Sequence, residues 1–281
     1  MAEQFSVELR AEGLALGYGR TDIVSGVDLT LAPGTVTAIV GANGSGKSTL
    51  LRGLARLLPA SGGRVLLGGQ DIRRLSQRNL GKRIAVLPQA PAAPEGIRVA
   101  DLVARGRYVH QSWLRPWSRA DEDAVGHALD VTGCAAFATR PLDELSGGQR
   151  QRAWIAMVIA QDAGVLLLDE PITFLDLAHQ LDVLDLLADL NQYDGRSVVM
   201  VLHDLNLAAR YAHRIVAMRS GQVLRDGAPD DVLDDSLLAE AFGLDARVVR
   251  DEVAGTPHVL PIGRHLRLSA PPAPASRKEI P

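Results

Sequence analysis

The stretch Gly41-Ala42-Asn43-Gly44-Ser45-Gly46-Lys47-Ser48 has the form G-x-x-x-x-G-K-[ST]. Ahead of it, residues 35–40 form a β-branched apolar run that reads as a buried strand. Behind it, residues 49–58 carry Leu50, Leu51, Leu54, Leu57 and Leu58 at helical spacing. Strand, glycine loop and helix together form the setting in which this pattern cradles a phosphate. The glycines let the backbone wrap tightly and turn its N–H groups inward. The helix N-terminus adds partial positive charge at the same spot. Lys47 is placed to reach the β- and γ-phosphates of a nucleotide, and the Ser48 hydroxyl to hold Mg²⁺.

Bulk properties narrow the field. With 281 residues the chain can bury a full core. A formal charge of −3 gives no electrostatic footprint for nucleic acid. One cysteine, Cys134, rules out an internal disulfide and suits a reducing compartment. The first ten residues are mixed and polar, unlike a signal peptide. The longest apolar run, residues 153–160, falls far short of the about 20 residues that span a bilayer. The chain is therefore expected to be soluble by itself, with any membrane role exercised through a partner.

In chain order, residues 7–16 and 23–31 read as strands joined by the turn Gly17-Tyr18-Gly19-Arg20. Tyr18 is either packed on the sheet edge or free to stack on a nucleobase. Residues 64–67 and 83–87 are short strands, the second stopped by Pro88. Gln89 then stands at a strand's carboxyl end, where open parallel sheets hold their ligands. Its amide suits Mg²⁺ or an attacking water, although a lone loop glutamine is ordinarily just solvated. The Ala- and Pro-rich residues 90–95 form a natural hinge. Residues 99–162 turn helical, over 99–108, 120–132 and 148–160, which suggests a separate lobe inserted in an α/β core. Its segment Arg105-Gly106-Arg107-Tyr108-Val109-His110-Gln111-Ser112-Trp113-Leu114 mixes basic and aromatic residues, and reads as a docking surface for a protein before nucleic acid.

Leu145-Ser146-Gly147-Gly148-Gln149 opens an apolar helix and offers a second anion-binding terminus. Val165 to Leu168 then run into Asp169 and Glu170, a buried strand delivering two carboxylates to the sheet edge. Buried carboxylates are costly unless paired or on a metal. Asp169 suits Mg²⁺, complementing Ser48, and Glu170 suits polarising a water for attack on the γ-phosphorus. Residues 172–176 form a loop, followed by an amphipathic helix marked by Leu177, Leu181, Leu184 and Leu187. Strand 197–202 ends at His203, whose imidazole is placed to sense a γ-phosphate. A hairpin around Ser220-Gly221, a helix over 230–241 and two small strands at 246–250 and 257–262 complete the pattern.

Together these residues resemble an ABC-transporter ATPase subunit across residues 7–265. Tyr18 matches the adenine-stacking aromatic, Gly41–Ser48 with Thr49 the Walker A, Gln89 the Q-loop and Leu145–Gln149 the signature. Asp169 and Glu170 match the Walker B pair, Leu175-Asp176 the D-loop and His203 the switch histidine. The resemblance turns Gln89 and His203 from bystanders into site residues. It implies a P-loop NTPase (RecA-like) α/β core with an N-terminal antiparallel β subdomain and an inserted α-helical subdomain at about 96–162. Residues 1–265 would form the ATPase domain, and residues 266–281, rich in Pro and Ala, a disordered tail.

The resemblance further implies ATP and Mg²⁺ (on Ser48, Gln89 and Asp169), catalysis by Glu170, His203 and Gln89, and a homodimer in which each signature caps the other chain's ATP. Separate integral membrane permease subunits, and indirectly a substrate-binding protein, would be partners, on the cytoplasmic face of the inner membrane. The segments around Leu102–Tyr108 and Glu170–Gln180 are similar to ATPases of ferric-siderophore importers, the ferric-enterobactin type above all, although Val109 stands where that subgroup carries proline. Haem, cobalamin or another metal chelate is the alternative cargo. An ABC ATPase acting on nucleic acid is the other alternative; it ordinarily has a long coiled coil or two ATPase modules, and this sequence has neither.

Overall fold

The computed structural model describes residues 7–263 apart from Arg20, Trp113, Leu114 and Phe174. The tail expected to be disordered lies outside the described residues, as do the two aromatic and apolar ends of the segment 105–114.

The chain opens with the antiparallel pair β1 (Leu9–Tyr18) and β2 (Thr21–Leu31). The expected turn is shorter than residues 17–20, because Gly17 pairs with Asp22 and Tyr18 with Thr21. Next come β3 (Val36–Gly41), α1 (Lys47–Leu54), β4 (Ala60–Leu67), β5 (Gln70–Asp71), α2 (Gln77–Gly81) and β6 (Ile84–Leu87). Helix α1 stops short of the expected Leu58: Arg56 takes a positive φ of 56°, and Pro59 disfavours helical geometry in the residue before it.

The helical insert holds α3 (Val99–Ala104), α4 (Arg119–Val131) and α5 (Gly147–Ala160). The first predicted helix here is only half α-helix; residues Arg105–Val109 tighten to a 3₁₀ turn. The return path runs β7 (Val165–Asp169), α6 (Leu177–Asp194), β8 (Ser197–Val201), α7 (Leu205–Tyr211), β9 (Arg214–Arg219) and β10 (Gln222–Gly227). Instead of one helix over 230–241 there are two, α8 (Pro229–Val232) and α9 (Asp235–Phe242). Asp234 separates them, its carboxylate accepting from the Leu237 N–H as the cap of α9. The hairpin β11 (Ala246–Arg250) and β12 (Pro257–Pro261) completes the described chain.

The large sheet has the order β10-β9-β3-β8-β7-β6, parallel from β9 to β6, and a smaller sheet has the order β2-β1-β4-β5. Strands β3, β7, β8 and β9 are apolar on both faces, and successive residues enter different cores. Ala38, Leu166, Met200 and Ala217 join the cluster shared with the helical insert. Ile39, Leu167, Val201 and Val216 join the cluster under α1 and the small sheet. This double burial is what a parallel sheet covered on both sides requires. The neighbours β3-β8-β7-β6 also decide function, because their carboxyl ends lie side by side. Ile39 pairs with Val201, Val201 with Asp169, and Leu87 with Leu168. The glycine loop, His203, the Asp169-Glu170 pair and Gln89 therefore emerge at one level on one edge, the usual ligand edge of such sheets.

The insert is fastened internally by an ion pair that sequence reading missed. Arg107, expected as part of a docking segment, is buried instead. Its Nε donates to Asp121 Oδ1 at 2.8 Å and its Nη1 to the Ala160 carbonyl at 2.8 Å. The other oxygen of Asp121 accepts from Ser118 N at 3.0 Å and Ser118 Oγ at 2.6 Å, capping α4. Burial works against the charge of Asp121, but these hydrogen bonds and the guanidinium outweigh it and hold the carboxyl below its ordinary pKa.

Candidate nucleotide site

Gly41 ends β3 with a φ of 151°, and a β-carbon there would sit 2.3 Å from the Met218 carbonyl oxygen, so only glycine fits. The loop then turns into α1 behind Gly46, whose own φ is 101°. No side chain caps α1. Its first residues, Lys47, Ser48 and Thr49, line the cavity, where an anion would satisfy their N–H groups. Lys47 is almost fully buried, and its Nζ donates to the carbonyls of Gly41 at 2.8 Å and Ala42 at 3.0 Å. Burial lowers its pKa, against the pull of Glu170 and Asp169.

Ser48 Oγ donates to Asp169 Oδ1 at 2.8 Å. Asp169 is 1% exposed, and its Oδ2 has no hydrogen-bond partner among the described residues. Burial pushes this carboxyl up, the Ser48 hydrogen bond opposes that, and the neighbouring Glu170 charge adds to it. A buried carboxylate with a free oxygen beside a hydroxyl is an unfinished donor set, and hard oxygen ligands of this kind fit Mg²⁺.

Glu170 takes the left-handed conformation, with φ 55°. Its Oε1 lies 2.7 Å from His203 Nε2, and its Oε2 accepts from Thr173 Oγ1 at 3.0 Å. Burial raises its pKa. The hydrogen bond from His203 leads a group of opposing effects, with Thr173, the His203 charge and Gln89, and the net result is below the ordinary value. Glu170 is thus held ionised and aimed. Thr173 was not among the expected site residues; the signal was its place three residues after Glu170 in a tight turn closed by Thr173 N on the Glu170 carbonyl at 3.3 Å.

A cavity of about 670 Å³ gathers Tyr18, Asn43, Lys47, Gln89, Glu170 and His203. That is ample for a nucleotide. Tyr18 stands half-exposed at its mouth, and Arg52 Nη1 donates to its hydroxyl at 3.1 Å. Of the two readings of Tyr18, the exposed ring at the cavity mouth favours stacking.

The signature residues are not among those lining this cavity. Ser146 caps α5, accepting from Gln149 N at 3.3 Å while Gln149 Oε1 accepts from Ser146 N at 3.2 Å. Leu145 is buried, whereas Ser146 and Gly147 face solvent. Asp176 caps α6 with a largely exposed side chain.

The family model described as "ABC transporter" matches residues 24–173. The chain belongs to the ABC transporter ATPase family. It is 52% identical over 251 residues to the achromobactin transport ATP-binding protein CbrD of Dickeya dadantii, covering 89% of this chain and 93% of the relative. It is 46% identical over 256 residues to the ferric enterobactin transport ATP-binding protein FepC of Escherichia coli, covering 91% and 94%. Among solved structures, an inward-facing ABC transporter assigned to the metal-chelate type superposes with a TM-score of 0.78 at 29% identity, over 92% of this chain and 98% of that one. The ATP-binding cassette MJ0796, solved as a dimer after hydrolysis with ADP and Pi, superposes with a TM-score of 0.70 at 26% identity, over 78% and 98%. This ABC ATPase has the P-loop core, antiparallel β subdomain and helical insert expected of it. Among the described residues no helix is long and apolar enough to cross a membrane.

Proposed function

We propose that this ATPase hydrolyses ATP to energise import of an iron(III)–siderophore complex through a separate membrane permease. The cargo reading is supported by the names of relatives that match about nine-tenths of the chain, achromobactin transport for CbrD and ferric enterobactin transport for FepC. In this reading Tyr18 stacks on adenine, and the loop Gly41-Ala42-Asn43-Gly44-Ser45-Gly46 with Lys47, Ser48 and Thr49 cradles the phosphates. Lys47 exchanges its two carbonyl partners for phosphate oxygens. Ser48, Asp169 and Gln89 hold Mg²⁺, which neutralises charge on the bridging phosphate oxygens when bound. Glu170 takes the proton of the attacking water, and His203 orients Glu170 and registers the γ-phosphate.

One observation carries the two-copy part of this reading. The glycine loop, Glu170, Gln89 and His203 share a cavity, with Asp169 bonded to Ser48 of its lining, and the signature turn is not among the residues that line it. A second copy of the chain supplies that turn, the N–H groups of Gly147 and Gly148 at its exposed helix start meeting the γ-phosphate. The two copies then close only around nucleotide and loosen when hydrolysis removes the bridging charge. The MJ0796 cassette, solved as a dimer, supports the pairing of two copies.

Replacing Lys47 with alanine deletes a buried charge aimed at the phosphates. Lys47→Ala is expected to weaken MgATP binding by tenfold or more, read by titration with a fluorescent nucleotide; unchanged affinity would remove Lys47 from the cradle. For cargo, a strain lacking this chain is expected to lose growth on ferric siderophores as sole iron source and to keep growth on haem. The opposite pattern would replace the cargo.

A further inference from the structure

His179, in the first turn of α6, lies in the segment Glu170–Gln180 but outside the Walker, Q-loop, signature, D-loop and switch motifs, yet it bonds to the D-loop Asp176 and lies against the signature Gly148. Its backbone N–H donates to Asp176 Oδ1 at 3.0 Å, and its ring Nδ1 lies 2.6 Å from the same oxygen. The other edge of the ring covers the start of α5. A β-carbon at Gly148 would lie 3.2 Å from His179 Cδ2 and 3.4 Å from Cγ, so the second signature glycine is the residue that makes room for the imidazole. Two further bonds hold the same loop: Gln151 Nε2, one turn into α5, donates to the Pro171 carbonyl at 2.7 Å, and Gln180 Nε2 to the Leu175 carbonyl at 3.0 Å. The loop between β7 and α6 is thereby tied to the signature helix at one end and capped by its own histidine at the other.

We propose that His179 is a positioning residue that clips Asp176 and the signature turn into one preformed unit, presented together to a second copy of the chain. The inference rests on the two-copy reading above. Its physical content is preorganisation. Asp176 is largely exposed and, without the ring, keeps only the backbone bond of an ordinary helix cap. With the ring in place, the Asp176 carboxylate has a fixed rotamer, and the path from Gly148 to Asp176 is a single packed contact. Ordering these groups beforehand leaves less entropy to lose when the second copy docks. The hydrogen bonds from the His179 backbone and ring hold the Asp176 carboxyl below its ordinary pKa, so the group reaches the partner charged.

The test uses the full chain carrying Glu170→Gln as the non-hydrolysing parent, with MgATP and light scattering to follow association. His179→Ala is expected to raise the protein concentration for half-association about tenfold. His179→Asn, whose amide N–H reaches the place of Nδ1 but which has no ring to lie on Gly148, is expected to recover only the part of that loss due to the Asp176 bond. Nucleotide affinity of the dilute monomer and the melting temperature are expected to stay at parental values, because His179 is outside the chain's own cavity and the α6 cap bond to Asp176 survives. Association of His179→Ala equal to the parent overturns the proposal, as does an Asn variant no better than Ala. An equal loss of monomer nucleotide affinity also overturns it. A parent that fails to associate with MgATP overturns the two-copy reading itself, and the proposal with it.

Discussion

Glu170→Gln is expected to bind MgATP, accumulate as a dimer and turn over about 10²- to 10⁴-fold more slowly, the range set by loss of a positioned general base. Glutamine keeps the shape of the side chain and an oxygen for the Thr173 hydroxyl, but cannot take a proton. The substitution also removes a negative charge beside the incoming triphosphate, which favours the nucleotide-bound state. The expectation rests on how Glu170 is held. His203 on one oxygen and Thr173 on the other fix its rotamer, and its left-handed backbone, of a kind that costs on the order of 1–3 kcal/mol, persists only because the surrounding structure demands it. Rate measurement with steady-state phosphate release, alongside light scattering, decides the matter. Hydrolysis near the normal rate would withdraw Glu170 from proton transfer and leave it a structural link between β7 and β8.

The second large effect concerns stability. Arg107 and Asp121 are 6% and 2% exposed at their side chains. Removing either partner strands a charge in the interior of the helical insert. Arg107→Met is expected to destabilise the chain by about 3–5 kcal/mol. The double change Arg107→Met, Asp121→Leu is expected to recover most of this, because neither charge then remains buried alone. Denaturant midpoints of the two variants test the claim, and a loss below about 1 kcal/mol for the single change would show that water reaches the site. The pH dependence follows with its sign. The folded carboxyl of Asp121 has a lowered pKa, so the unfolded chain binds its proton more readily. The stabilisation is complete above the ordinary carboxylate range and is lost as the pH falls through the folded value.

These two predictions differ in how far ahead they could be read. Glu170 could be read from its neighbours in sequence. Four apolar residues followed by two acids announce a buried strand that delivers carboxylates, and the glycine loop says what they face. Arg107 could not. Its local company of arginine, glycine and tyrosine looks like a surface, and only the approach of Asp121 from α4 and the Ala160 carbonyl from α5 turns it inward. Gln89 and His203 stand between these cases. Their positions at strand ends were legible, but their meeting with Glu170 required β6, β7 and β8 to be neighbours. The break between α8 and α9 was legible in retrospect from Asp234, a capping residue inside an otherwise helical run.

The sequence by itself determined the phosphate loop, the doubly buried strands, the order of the motifs and the family, because each rests on residues adjacent in the chain or repeating at a fixed period. Tertiary structure alone decided the strand order that lines four motifs along one edge, the burial of Arg107 and the contact of His179 with Gly148. Each of these joins residues far apart in the chain, and a partner's identity enters a pairing energy only once the fold has brought it within a few ångströms.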